Sequence, residues 1–229
     1  MSSFTIAVGS ATLGVLAGIP ARAMIWGLSG PPAAVQAGRW WRGIGPIMGL
    51  LWFVVALRLV DEDLAWAVPA YLAVAFLCVV LAVLDGTTRL LPDRITYPAF
   101  PVVAGLLLVA SLGVGDLWRL GRGLLAAAAV GGLFLLLAVL SGGMGLGDVK
   151  MAFTVGLALG WLSWGAVAVG VFAAFLLAGL TGLAATLALG LSRKSRLPFG
   201  PWLAAGALLG VLVGGGITSW VQASVVGAR

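Results

Sequence analysis

The sequence predicts an all-α fold, a polytopic bundle of about eight transmembrane helices, and three observations carry that reading. Hydrophobic residues fill 62% of the 229 positions and charged residues 9%, with a mean hydropathy of +1.17, far outside the range of a soluble domain. The apolar residues form long continuous runs, whereas a membrane barrel shows alternating segments of about ten residues. Polar, Gly and Pro breaks divide the runs into lengths near the roughly 20 residues that a bilayer core demands.

Taken in order, the first run covers about 4–21, and residues 1–7 carry no Lys or Arg. It therefore lacks the basic start of a signal peptide and is expected to be a retained helix. The second, 44–60, runs from the Arg39–Arg42 stretch to the acidic Asp61-Glu62-Asp63. The third, 64–84, closes on Asp85, and the fourth, 98–114, opens at Pro98 and stops at Gly115. The fifth, 123–140, gives way to a glycine-rich segment. The sixth, 150–161, is short and the seventh, 164–190, is long; the eighth covers 201–222. GxxxG-like spacing among 35 glycines predicts closely packed helices.

The net charge of +6 reflects orientation in a bilayer and not a nucleic-acid partner, because the basic residues cluster between apolar runs. With the N-terminus outside, Arg22, Arg39, Arg42, Arg89, Arg94, Lys150, Arg193, Lys194 and Arg196 fall on the inner side, and Arg119, Arg122 and Arg229 on the outer. That bias follows the positive-inside rule. Trp40, Trp41, Trp161, Trp164 and Trp220 lie near span ends, as in an aromatic belt. Cys78 is the sole cysteine, inside an apolar run, so neither a disulfide nor a thiolate metal cluster is expected.

Chemistry has few places to reside. The chain has no His and no cluster of metal ligands, which leaves the carboxylates. Asp61, Glu62, Asp63 and Asp116 fall in outer loops and read as solvated. Asp93 falls in a turn, Leu91-Pro92-Asp93-Arg94, where Asp is common for backbone reasons. Asp85, in Leu84-Asp85-Gly86-Thr87-Thr88-Arg89, sits where a helix leaves the hydrocarbon, and a carboxylate there is costly unless used or paired. An ordinary ion pair with Arg89 or Arg94 is the competing reading. Asp148 closes Ser141-Gly142-Gly143-Met144-Gly145-Leu146-Gly147 on the same side, beside a helix N-terminus that favours its ionised form. The glycine-rich stretch lacks the Gly-Lys-Ser/Thr ending of a phosphate loop.

Two carboxylates held close share a proton, so that one activates water while the other donates to a carbonyl. The same pair fits an ion-coupled transporter, in which acids beside broken helices bind Na⁺ or H⁺ near the midplane. Against that, both acids lie at span ends and the two halves show no matched interrupted helices. A noncatalytic scaffold leaves the pair unexplained.

Three segments resemble the type IV prepilin peptidases, members of the GxGD class of intramembrane aspartyl proteases. Asp85-Gly86-Thr87-Thr88-Arg89-Leu90-Leu91-Pro92-Asp93-Arg94-Ile95-Thr96-Tyr97-Pro98 is similar to the family's first aspartate motif. Gly142-Gly143-Met144-Gly145-Leu146-Gly147-Asp148-Val149-Lys150 is similar to the second, with Gly145 to Asp148 as its core. Leu197-Pro198-Phe199-Gly200-Pro201-Trp202 is similar to a late Pro-Phe-Gly-Pro segment.

The resemblance implies Asp85 and Asp148 as the catalytic pair, with Gly145, Gly147, Lys150, Thr88, Pro198 and Gly200 as supporting site residues. It implies no metal and no cofactor. It implies a multi-pass protein of the cell membrane whose substrate is a prepilin or pseudopilin, cut at the cytoplasmic face between a basic leader and a hydrophobic segment. It divides the chain into N-terminal helices, 1–80, and a protease core, 81–229. Many relatives carry two Cys-x-x-Cys pairs and a methylation region in the first third. The corresponding loop, about 29–43, has no cysteine, so the zinc-binding element is absent and methylation of the new N-terminus is not expected.

Overall fold

A computed structural model describes residues 3–29, 43–88, 91–141, 144–189 and 198–226. Arg39, Trp40, Trp41, Arg42, Arg89, Gly142, Gly143, Arg193, Lys194, Arg196 and Arg229, the side chain of Trp220 and most of the loop about 29–43 lie outside the described residues. The described chain is helical, with no strand: α1 (Ser3–Ser29), α2 (Ile44–Asp61), a 3-10 turn (Ala65–Ala67), α3 (Val68–Thr88), α4 (Asp93–Val114), α5 (Trp118–Ser141), α6 (Leu146–Leu162), α7 (Trp164–Leu189) and α8 (Gly200–Val226). Among the described residues, eight α-helices stand where the sequence shows eight apolar runs. Six stretches among the described residues are long and apolar enough to cross a membrane: Ser3–Ile25, Ile44–Asp61, Ala65–Thr88, Asp93–Val114, Trp118–Ser141 and Trp164–Ala188.

The chain forms two compact units, Met1–Trp118 and Arg119–Arg229. In the first, α1 packs on α2, and both meet α3. A β-carbon at Gly18 would fall 2.5 Å from the Gly45 Cα, so this crossing requires glycine. In the second, α7 packs on α8, where a β-carbon at Gly206 would fall 2.4 Å from the Gly170 carbonyl oxygen. α6 packs on α5 through Gly160, whose β-carbon would meet that of Ala126 at 2.3 Å. The glycine spacing therefore marks helix crossings, as expected.

Several boundaries differ from the sequence reading, each for a local reason. α4 starts at Asp93 rather than at Pro98, so Asp93 is not a turn residue. Pro92 caps it in extended conformation, and its carbonyl accepts the Ile95 N–H at 3.0 Å. Pro98 and Pro101 lie within α4, where each removes one intrahelical bond. α4 ends in a Schellman turn: Gly115 has φ +76°, its N–H donates to Leu112 O at 3.2 Å, and the Asp116 N–H donates to Ser111 O at 2.9 Å.

The outer acids are more than solvated charges. Asp116 Oδ1 accepts the Trp118 N–H at 3.0 Å, which starts α5 one turn before the expected position. Glu62 pairs with Arg58 one helical turn away. Asp63 takes φ 59° in a second Schellman turn, with Leu64 N–H on Leu59 O at 2.8 Å and Asp63 N–H on Val60 O at 3.1 Å. Trp161 does not belong to an aromatic belt, since it is fully buried, whereas Trp164 is 52% exposed.

Candidate active site

Seven acidic residues occur in the chain, all within the described residues, and only Asp85 and Asp148 are buried. Asp85 lies inside α3, three residues before its end, and is 5% exposed. The helix continues past Asp85 to Thr88, beyond the end read from the sequence. The Thr87 hydroxyl donates to the Val83 carbonyl at 2.7 Å, and the Thr88 hydroxyl to the Leu84 carbonyl at 2.7 Å. Both hydroxyls thus bond back to carbonyls one turn earlier, which gives each a partner inside the helix. Arg94 is exposed and forms no ion pair with Asp85, which removes half of the competing reading.

Asp148 is 7% exposed and occupies the third position of α6. Because α6 begins at Leu146, Asp148 lies within the first turn and not ahead of the helix. The Gly145 carbonyl accepts the Asp148 N–H at 3.1 Å and the Val149 N–H at 3.4 Å. A carboxylate in this turn faces the positive end of the helix dipole. Gly145 caps the helix at φ −74° and ψ 144°, a conformation open to any residue. A β-carbon there would stand 3.5 Å from Asp148 Oδ2, so its absence leaves one flank of that oxygen uncovered. Gly147 and Lys150 are half-buried. Lys150, two residues beyond Asp148, lies about 200° round the helix from it.

α6 is buried along most of its length, at twelve of its seventeen residues, and its far end is clamped. Arg122 donates through Nε to Gly160 O at 2.7 Å and through Nη2 to Trp161 O at 2.6 Å and Leu162 O at 2.7 Å. The Arg119 guanidinium lies 5.2 Å from the centroid of the Trp161 ring. Sequence reasoning placed both arginines on an outer face as orientation charges. Nothing local marks Arg122 as a helix cap, because its partners are 38–40 residues away.

Pro198 is half-buried and Gly200 buried at the start of α8. Sequence reasoning passed over the residue between them. The Phe199 carbonyl accepts the Trp202 and Leu203 N–H groups at 3.0 Å each. Its ring lies 5.5 Å from Phe134 and 5.3 Å from Phe175, which are 5.4 Å from one another. This trio fixes the entry to α8 against α5 and α7.

Asp85 and its threonines belong to the first unit; Gly145, Asp148, Lys150, Pro198 and Gly200 belong to the second. Among the described residues, no three His, Cys, Asp or Glu side chains are grouped to hold a metal ion.

A family profile described as the type IV leader peptidase family matches residues 72–187, a stretch that includes both buried aspartates. A prepilin leader peptidase/N-methyltransferase of Bacillus subtilis is 36% identical over 66% of this chain and 58% of its own length. One of Aeromonas salmonicida is 30% identical over 79% of this chain and 60% of its own. The chain therefore spans about 60% of the length of these two curated relatives. The leader peptidase HopD of Salmonella typhimurium is 34% identical over 67% of this chain and 94% of its own length. No solved structure matches the chain.

Proposed function

Since the chain belongs to the type IV leader peptidase family, we propose that it is a multi-pass aspartyl endopeptidase that removes the basic leader of prepilin-like or pseudopilin precursors. The observation that carries this reading is the burial of Asp85 and Asp148 and of no other acidic residue. Burying a carboxylate in a membrane protein costs several kcal/mol unless the group is partnered or used. Both sit in the segments that resemble the family's aspartate motifs.

In the proposed mechanism the two carboxylates work as a pair that shares one proton. The ionised carboxylate takes a proton from water, and the resulting hydroxide attacks the scissile carbonyl carbon. The protonated carboxyl donates to the carbonyl oxygen. Collapse of the tetrahedral intermediate passes a proton to the leaving amine and restores the pair. Gly145, beside Asp148 Oδ2, gives an extended peptide room to approach. Thr88, Gly147, Lys150, Pro198 and Gly200 support the site. The catalytic machinery lies in 81–229, and 1–80 supplies accompanying helices. The cut is made at the cytoplasmic face of the cell membrane, without metal or cofactor. With no cysteine pairs in the loop about 29–43, the new N-terminus leaves unmethylated.

Co-expression with a prepilin tests this, with mass spectrometry of the membrane-bound product. The expected product begins at the hydrophobic segment and carries an unmodified amine. An intact prepilin beside correctly inserted enzyme overturns the proteolytic reading, and a methylated product overturns the methylation part alone.

A further inference from the structure

A groove of about 550 Å³ opens on the first unit. α3 lines it from Pro69 to Leu77 and α4 from Arg94 to Val102, with contributions from Met24 of α1 and Trp52 of α2. Among the described residues that line it, Arg94 is the sole charged one. Arg94 is exposed, at the second position of α4, and makes no hydrogen bond or ion pair among the described residues. Its apolar walls belong to helices that read as membrane spans.

In a bilayer such a groove is filled, because an empty one forfeits the dispersion contacts of every wall atom. The charge selects among occupants: a guanidinium at the end of a span stands at headgroup depth, and its planar fork matches phosphate oxygens.

We propose that this groove binds one anionic phospholipid, with its phosphate on Arg94 and an acyl chain between α3 and α4. Asp85 is not among the residues that line the groove. A bound lipid would hold the entry of α4 against α3, where Pro98 removes a helical hydrogen bond.

Trp52 supplies the reporter. The full chain is placed in detergent micelles with brominated phosphatidylglycerol or brominated phosphatidylcholine, and the Trp52 signal is the difference between wild type and Trp52→Phe. Half-quenching is expected at an about fivefold lower mole fraction of phosphatidylglycerol than of phosphatidylcholine. Arg94→Gln should remove that preference, and Ala73→Phe, which fills the groove, should protect Trp52 from both lipids. Equal quenching by the two lipids, or a preference that survives Arg94→Gln, overturns the proposal. So does protection of Trp52 by a hydrophobic prepilin segment at concentrations where unlabelled phosphatidylglycerol gives none, which would assign the groove to peptide. Arg94→Gln stands as the test on its own if Ala73→Phe fails to insert.

Discussion

Nη2 of Arg122 donates to the Trp161 carbonyl at 2.6 Å, and this contact sits at the opposite end of α6 from Asp148. A helix of 17 residues is about 25 Å long, so the axial position of Asp148 follows from where the other end is held. Arg122→Met keeps the side-chain bulk but leaves three carbonyls without their donor. It should lower stability by about 2–4 kcal/mol, read as thermal unfolding in detergent. Arg122→Lys, with a point charge in place of the fork, should recover only part of the loss.

Gly145→Ala separates access from folding. The backbone at φ −74° and ψ 144° accepts alanine, and the nearest atom to the new methyl is Asp148 Oδ2 at 3.5 Å. Thermal stability should stay within about 0.5 kcal/mol of wild type, while prepilin cleavage falls about tenfold or more because the methyl covers the flank of the carboxylate. Cleavage at the wild-type rate would show that the glycine is not needed for access.

Phe199→Ala removes the central ring contacts between α8, α5 and α7. The expected loss is roughly 2–3 kcal/mol, with Phe199→Leu milder. Destabilisation by Phe134→Ala should be less than additive with Phe199→Ala, because both lose the same contact.

Asp63 holds the left-handed position of its turn at φ 59°, where an L-residue costs about 1 kcal/mol relative to glycine. Asp63→Gly should therefore raise the unfolding temperature, and Asp63→Val should lower it. Leu64, buried behind this turn, should not tolerate a polar replacement.

The fold was legible because the bilayer imposes a length on each apolar run, and each of the eight helices among the described residues follows one such run. Their ends were less so. α4 gained its first turn from Pro92 capping and α5 from Asp116. Each is a local polar contact that hydropathy does not register. At the site, Asp85 and Asp148 stood out because a carboxylate where a helix leaves the hydrocarbon is costly unless used or paired, and their burial singles them out again among the seven acids. Arg122 counts in the sequence as a basic residue of the outer side, and its role as a clamp leaves no periodic trace because its partners are 38–40 residues away. Phe199 was in plain view within Pro198-Phe199-Gly200, and its role depends on Phe134 and Phe175 from other helices.

Cleavage of a co-expressed prepilin by wild type, Asp85→Asn and Asp148→Asn, with insertion of each verified, tests the central claim most directly. Asparagine keeps the shape of each side chain and removes the ionisable carboxyl group. If the two aspartates are the catalytic pair, both variants insert normally and cleave at least about a hundredfold more slowly than wild type. Normal cleavage by either inserted variant would make that aspartate structural and contradict the mechanism.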